Sequence, residues 1–231
     1  MNRWTKSWTR TIPQPVAAAD LTADQTRVLW RIAGLLLDYP RAETLASLER
    51  LAATVRDLPA PAGPALLGVC EHLAATPETT LARDYVETFD LRRRHCLHLS
   101  YFAYGDTRKR GMALLRFKQA YRQAGADLGD HELPDHLAVV LEFAAIVDPV
   151  LGRRLILEYR PVLELLRQGL REAGSPYVGV FDALDATLPA LSESELRRLR
   201  ELAAQGPPSE DVGLEPFAAD PTMFEHEGAR R

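Results

Sequence analysis

Leu137-Ala138-Val139-Val140-Leu141-Glu142-Phe143-Ala144-Ala145-Ile146-Val147 is the stretch whose periodicity decides the fold. Leu137, Val140, Leu141, Ala144 and Val147 recur at helical spacing, and Val139, Phe143 and Ile146 make the other side apolar as well. A helix that is hydrophobic nearly all round is expected in the middle of a bundle. The same period runs outward on both sides. Val28, Leu29, Ile32, Leu35 and Leu36 form one apolar face, and Leu45, Leu48, Leu51, Val55 and Leu58 form another. Leu155, Ile156, Tyr159, Val162, Leu163, Leu166 and Leu170 form a longer one that crosses Pro161. Proline removes a backbone donor and crowds the preceding turn, so a kink is expected near Leu157.

Helix ends are punctuated clearly. Thr22 to Gln25 and Ser192 to Glu195 have the spacing of capping boxes, and Thr76-Pro77, Asp148-Pro149 and Ser175-Pro176 each put a proline after a capping residue. Gly125, Gly174 and Gly206 stand where helices should stop. These marks frame about eight or nine helices, and no segment alternates with period two. The expected fold is all-α, one bundle-like domain without a sheet, over residues 21–206. Residues 1–20 read as a flexible extension in which Trp4 and Trp8, one helical turn apart, either pack on the bundle or meet a partner. Residues 207–231 hold four prolines among acidic residues and have no helical period, so a disordered tail is expected there, with Phe217, Met223 and Phe224 as its anchors.

With 231 residues, 46% hydrophobic and 26% charged, the chain is long enough to bury a substantial core. A net charge of −4 argues against a general nucleic-acid binder. Cys70 and Cys96 form no C-x-x-C pair and no disulfide framework, which fits a reducing cytoplasm. The N-terminus lacks the apolar run of a signal peptide and no 18-residue apolar segment occurs, so neither export nor membrane insertion is expected. The charge is uneven, however. Residues 92–122 carry nine Arg or Lys and one Asp, a local +8 that leaves −12 for the remainder. Either this segment pairs with acidic helices of the same fold, or it docks an acidic partner or phosphate.

Residues 84–136 depart from regular patterning. Tyr85 and Phe89 lie one turn apart among Asp84, Glu87 and Asp90, after which Arg92-Arg93-Arg94 and the run from His95 to Phe102 fit neither helix nor strand. Gly105-Asp106 reads as a turn, with Asp106 or Thr107 capping the next helix. Further on, Pro134 is expected to open a helix with Asp135 and His136 in its first turn, where unsatisfied N–H groups favour an anion or a peptide carbonyl. The alternative is that Asp135 and Glu132 merely cap that helix. No nucleophile stands beside a base, no Gly-rich phosphate loop follows a strand, and His95, Cys96 and His98 match no metal-ligand spacing. Neither an enzyme nor a metal site is expected.

Several of these residues carry a resemblance. Tyr85-Val86-Glu87-Thr88-Phe89-Asp90, His98-Leu99-Ser100-Tyr101-Phe102, Tyr104-Gly105-Asp106-Thr107-Arg108, Arg110-Gly111, Leu114-Leu115, Tyr121 and Gly125 together resemble the assembly chaperones of respiratory nitrate reductase. Glu132-Leu133-Pro134-Asp135-His136-Leu137 and Leu141-Glu142-Phe143 are similar to the Glu-x-Pro-Asp-His element of the wider family of redox-enzyme maturation chaperones. The likeness spans roughly Val28 to Leu202 and does not include the N-terminal extension or the tail. It implies a cytoplasmic, non-catalytic chaperone that binds the N-terminal peptide of the nitrate reductase alpha subunit. It also implies a protein that holds the apoenzyme open for insertion of molybdopterin guanine dinucleotide, keeps no cofactor of its own and is absent from the mature enzyme. A proofreading chaperone for another molybdoenzyme and a structural subunit of an oxidoreductase are the rival readings.

For such a role the expected peptide site is an apolar groove lined by Tyr101, Phe102, Tyr104, Leu137 and Phe143, with Glu87, Asp90, Glu132 and Asp135 attracting a basic peptide and His136 beside them. Arg108 and Arg110 are candidates for docking the client's folded body or the cofactor's phosphates. If His136 titrates at its ordinary value of about 6.5, its protonation would repel a basic peptide as pH falls.

Overall fold

The computed structural model describes residues 19–105, 107–129 and 132–206. Trp4, Trp8, Asp106 and the tail from Pro207 onward lie outside the described residues. Helices α1 (Ala23–Leu37), α2 (Ala42–Arg56), α3 (Ala62–Ala75) and α4 (Glu78–Tyr85) come first, and α4 runs into a π-helical turn, Val86–Asp90. A 3-10 turn, Arg93–His95, precedes α5 (Leu99–Tyr104) and α6 (Arg108–Gln123). Then come α7 (Leu137–Glu142) with a second π-helical turn, Phe143–Val147, and α8 (Pro149–Glu158), α9 (Arg160–Glu172), α10 (Val178–Asp185) and α11 (Glu193–Gln205). The fold is all-α, as expected. The eleven α-helices among the described residues exceed the expected number because the irregular stretch holds the six-residue α5 and because the long helix across Pro161 is two helices.

That division falls at Tyr159 (φ −105°, ψ 19°), with Pro161 in the first turn of α9. A kink near Leu157 is therefore corrected to a break two residues later, since a proline costs little in the first turn, where its missing N–H needs no partner. Both capping boxes form: Thr22 Oγ1 accepts from Gln25 N and Ser192 Oγ from Glu195 N. Of the three proline starts only Asp148-Pro149 forms as expected, with Asp148 Oδ1 accepting from Val150 N and Leu151 N at 2.9 Å. Thr76 instead returns its hydroxyl to His72 O (2.7 Å), and Ser175 sits in a turn ahead of α10. Gly125, Gly174 and Gly206 all have φ between 65° and 76°, a conformation that Cβ-bearing residues resist.

α1 packs on α7 and its π-helical extension, α2 pairs with α3, and α3 and α9 both pack on α10. The most enclosed helix is α9, not the apolar 137–147 stretch. Leu137, Val140, Leu141 and Ala144 are fully buried, but Ile146 and Val147 are 56% and 42% exposed. By contrast α9 buries apolar Val162, Leu163, Leu165, Leu166 and Leu170 together with charged Arg160, Glu164 and Arg167. The buried charges are paired. Arg167 makes a bidentate contact with Glu164 (2.9 and 3.0 Å) and reaches Asp182 of α10 at 3.1 Å. Arg160 bonds Asp185, and Arg171 at the edge bonds Asp182. Three cations thus face three carboxylates, so no net charge is stranded between α9 and α10.

Such a network is weak testimony to stability as a whole, yet removing one member leaves an uncompensated buried charge. Arg167→Met is expected to lower the unfolding free energy by about 3–5 kcal/mol in urea titrations, whereas the exposed pair Arg198–Glu201 (3.2 Å) should tolerate Arg198→Met with a change below about 1 kcal/mol.

Candidate functional site

His98 and His136 stand in two extended segments, just before α5 and just before α7, that pair as a single antiparallel bridge. Leu99 N donates to Asp135 O (3.0 Å) and Leu137 N to Leu97 O (2.9 Å). This is why the sequence from His95 to Phe102 resembles neither a helix nor a strand: it is a one-residue bridge feeding a short helix. Tyr121 of α6 donates its hydroxyl to Pro134 O (2.6 Å), which fixes the turn that delivers Asp135.

Asp135 has no exposed surface. Its Oδ2 accepts from Ser100 N (3.2 Å) and Ser100 Oγ (2.5 Å), and its Oδ1 lies 3.2 Å from His98 Nδ1. Burial alone would raise its pKa, but the hydrogen bonds from His98 and Ser100 outweigh burial and hold the carboxyl below its ordinary value. Asp135 is therefore an internal clamp, and its expected place on a peptide-attracting rim is corrected. Pro134 and Asp135 form a turn, and His136 is the residue before α7, so neither Asp135 nor His136 stands in the helix's first turn.

Two clefts open on either side of the paired histidines, whose rings meet edge to face with centroids 5.1 Å apart. One, about 300 Å³, is bounded by Tyr85, Phe89, Asp90, Arg93, Cys96, Tyr101 and Arg110. The other, about 390 Å³, is bounded by Arg31, Asp38, Arg41, Glu132, Leu133 and Glu142. His98 and His136 line both. The wall of the first is built by the π-helical turn after α4, whose Phe89 is held in an aromatic group with Tyr85 (4.9 Å) and Tyr177 (4.9 Å), while Tyr85 donates to Leu37 O (2.9 Å). In the second, Arg31 pairs with Glu142 at 2.5 Å.

The expected site residues are distributed unevenly. Asp90, Tyr101 and His136 line the first cleft, and Glu132 and His136 the second. Glu87 is exposed and 3.9 Å from Arg83. Phe102, Leu137 and Phe143 are buried in the core, with Phe143 against Tyr121 at 4.5 Å, and border neither of the two clefts. Tyr104 is half-buried, its hydroxyl 3.4 Å from Arg116. Of the basic residues, Arg94 and Arg116 pair with Glu172 (3.0 Å) and Glu158 (3.2 Å), as the intramolecular reading expected. Arg110 turns inward over the Tyr101 ring (5.4 Å), while Arg108 is exposed on the other side of α6, so the two do not act as one site. The reading of residues alone missed Asp38, Arg31 and Arg41, which lie on α1 and the loop after it and carry no local irregularity to mark them.

Among the described residues there is no cluster of three or more metal-ligating side chains and no helix long and apolar enough to cross a membrane. The all-helical fold resembles that of a redox-enzyme maturation protein. The crystal structure of one from Archaeoglobus fulgidus matches with a TM-score of 0.52, covering 70% of this chain and 91% of that one at 21% identity. The family model described as nitrate reductase delta subunit matches residues 42–183, and the chain belongs to that family. It is 31% identical over 161 residues to the nitrate reductase molybdenum cofactor assembly chaperone NarJ of Bacillus subtilis, covering 69% of this chain and 88% of that one. It is 31% identical over 157 residues to NarJ of Escherichia coli K12, covering 66% of each. With the nitrate reductase-like protein NarX of Mycobacterium tuberculosis it shares 42% identity over 192 residues, which is 78% of this chain and 28% of that relative.

Burial and the neighbouring His98 lower the pKa of His136 to about 4. His136 therefore stays neutral where its protonation was expected to repel a peptide, and that pH effect is withdrawn. Its low value bears on stability instead. Below about pH 6.5 the unfolded chain takes up a proton at this histidine that the folded chain refuses until about 4. His95, lowered chiefly by burial, acts in the same direction. Stability is expected to fall as pH drops from about 6.5 toward about 4, and His136→Asn should remove on the order of 2–3 kcal/mol of that loss in urea titrations. A pH profile identical to that of the parent protein would refute the assignment. Asp135→Asn should cost about 2–4 kcal/mol near neutral pH, because the Ser100 and His98 contacts lose their charged acceptor.

Proposed function

We propose that this chain is an assembly chaperone for a nitrate reductase, taking up the N-terminal peptide of the catalytic alpha subunit in the paired clefts and keeping the apoenzyme competent for molybdenum cofactor insertion in the cytoplasm. Membership of the nitrate reductase delta subunit family and the names of the NarJ relatives support the chaperone role. The single observation that carries the peptide site is that His98 and His136 line both clefts, one on each side of the histidine pair. Taken together as one trough for a peptide, they would offer carboxylates Asp90, Asp38 and Glu132, with Arg31, Arg41, Arg93 and Arg110 between them, and the aromatic side chains of Tyr85, Phe89 and Tyr101 at one end.

A trough of this kind suits a peptide with apolar and basic residues. The apolar residues would enter between Phe89 and Tyr101, and the basic ones would meet the carboxylates. The acids give attraction that salt screens, and the aromatic end gives contact area that salt leaves intact. Neutral His136 fits beside a cationic peptide across the physiological range. No resident cofactor is needed: the molybdopterin guanine dinucleotide belongs to the client, and the chaperone's part is to bind, expose and release. Arg110, held against Tyr101, borders the first cleft together with Arg93 and would meet the client's body there.

Calorimetric titration with the client's N-terminal peptide tests the site. Asp90→Ala combined with Glu132→Ala should weaken binding about tenfold or more at low salt, with much of the difference lost at high salt. Tyr101→Ala should weaken it at both. Phe143→Ala would act through stability alone and is the control for unfolding. Parent-like affinity in both cleft variants would reject the trough as the peptide site. A retained chaperone effect on client maturation in those same variants would place the peptide elsewhere without removing the chaperone role.

A further inference from the structure

Helix α6 has an outward face that neither the trough nor the core uses. Its inner side buries Ala113, Phe117 and Tyr121. The outer side presents Arg108, Met112, Leu115 and Arg122 in line along the helix, with Met112 60% and Leu115 51% exposed. Lys109 and Lys118 flank that line on opposite sides. From Thr107 to Ala126 there are six cationic residues and no acidic one, in a chain whose net charge is −4. Two of the six are engaged: Arg110 lies over Tyr101 and Arg116 pairs with Glu158. Arg108, Lys109, Lys118 and Arg122 make no ion pair with any described residue.

We infer that the outer face of α6 is a peripheral docking surface for an anionic lipid bilayer. The face carries two exposed apolar side chains, Met112 and Leu115, between exposed cations, the arrangement by which an amphipathic helix lies in a headgroup layer. It has no carboxylate and no aromatic anchor among its outward residues, whereas a specific protein interface is organised around aromatic anchors in pockets. Each cation near an anionic leaflet adds attraction that decays within a Debye length, so the bound state is shallow and salt-sensitive. Such docking would bring a loaded chaperone to the membrane without any spanning segment, and it stands apart from the trough.

The test uses the full chain and sedimentation with vesicles of phosphatidylcholine alone or of an equal mixture of phosphatidylcholine and phosphatidylglycerol. The protein should sediment with the anionic vesicles only and be released by added salt. Arg108→Glu with Lys109→Glu, and separately Met112→Ser with Leu115→Ser, should each lower the partition coefficient about tenfold or more without shifting the melting temperature, since all four side chains are exposed. Equal binding to both kinds of vesicle, no binding to either, or parent-like binding by both variants would overturn the inference. Absent vesicle binding together with impaired client maturation by the charge-reversed protein would assign the face to an acidic protein partner instead. Because no client peptide enters the vesicle assay, its outcome is independent of the trough.

Discussion

The buried carboxylate of Asp135 is the contact on which the rest of the site depends. Two extended segments that are 37 residues apart in sequence meet at His98 and Asp135, and a single bridge contributes too few backbone bonds to hold them. Asp135 adds the missing contacts from the side-chain level, taking Ser100 through both its amide and its hydroxyl and facing His98 with the other oxygen. A charged acceptor in a dry place makes these bonds stronger than their neutral equivalents, and equally makes them costly to leave unmade. The consequence is positional. α5 and α7 start from the same clamp, so the walls of both clefts are set by one side chain that no ligand can touch.

A second constraint works where α9 meets α10. The network of Arg160, Glu164, Arg167, Asp182 and Asp185 sits where apolar packing alone would allow α9 to rotate or slide against α10. Paired charges in a buried interface accept one register, because a shift of a single turn would strand a charge without its partner. Gly169 of α9 lies close to His95, where an added Cβ would meet the imidazole at 3.0 Å, so the same helix also receives the 3-10 turn that leads into the cleft. The fixed register of α9 is thereby carried into the irregular segment whose own local structure is weak.

How much was legible from residues alone follows the range of the interaction. The capping boxes at Thr22 and Ser192 and the glycine stops at Gly125, Gly174 and Gly206 involve partners within a few positions, and the spacing of residue types suffices to find them. Thr76 shows the limit even at short range, since a hydroxyl beside a proline has other acceptors within reach, here His72 O. Asp135 failed differently. Its motif marked it as special, but a carboxylate before a helix looks the same whether it faces solvent or a serine 35 positions away. Arg160, Glu164 and Arg167 were invisible for a related reason: i, i+4 and i+3 charges on a helix ordinarily describe a solvated face, and their burial follows only from where α10 lies.

Under the proposed function, these constraints bear on how a client peptide would be held and released. A chaperone that must let go needs a site whose attraction is divided among contacts that can be lost one at a time. Asp38, Asp90 and Glu132 stand on separate elements around the trough, on α1's end, the π-helical turn and the loop before α7. None of the three is part of the internal clamp, so binding need not strain Asp135 and release need not unmake it. The two π-helical turns, closed by Leu91 N to Val86 O (3.0 Å) and Asp148 N to Phe143 O (3.1 Å), are the places where helix geometry departs from its regular form. The first of them carries Phe89 and Asp90 into the cleft. An extra residue in a helical turn swings the following side chains around the axis, and here it brings an aromatic and a carboxylate to the same opening. A turn whose residues read as ordinary helix in the sequence is thus the means by which a stable bundle presents this surface.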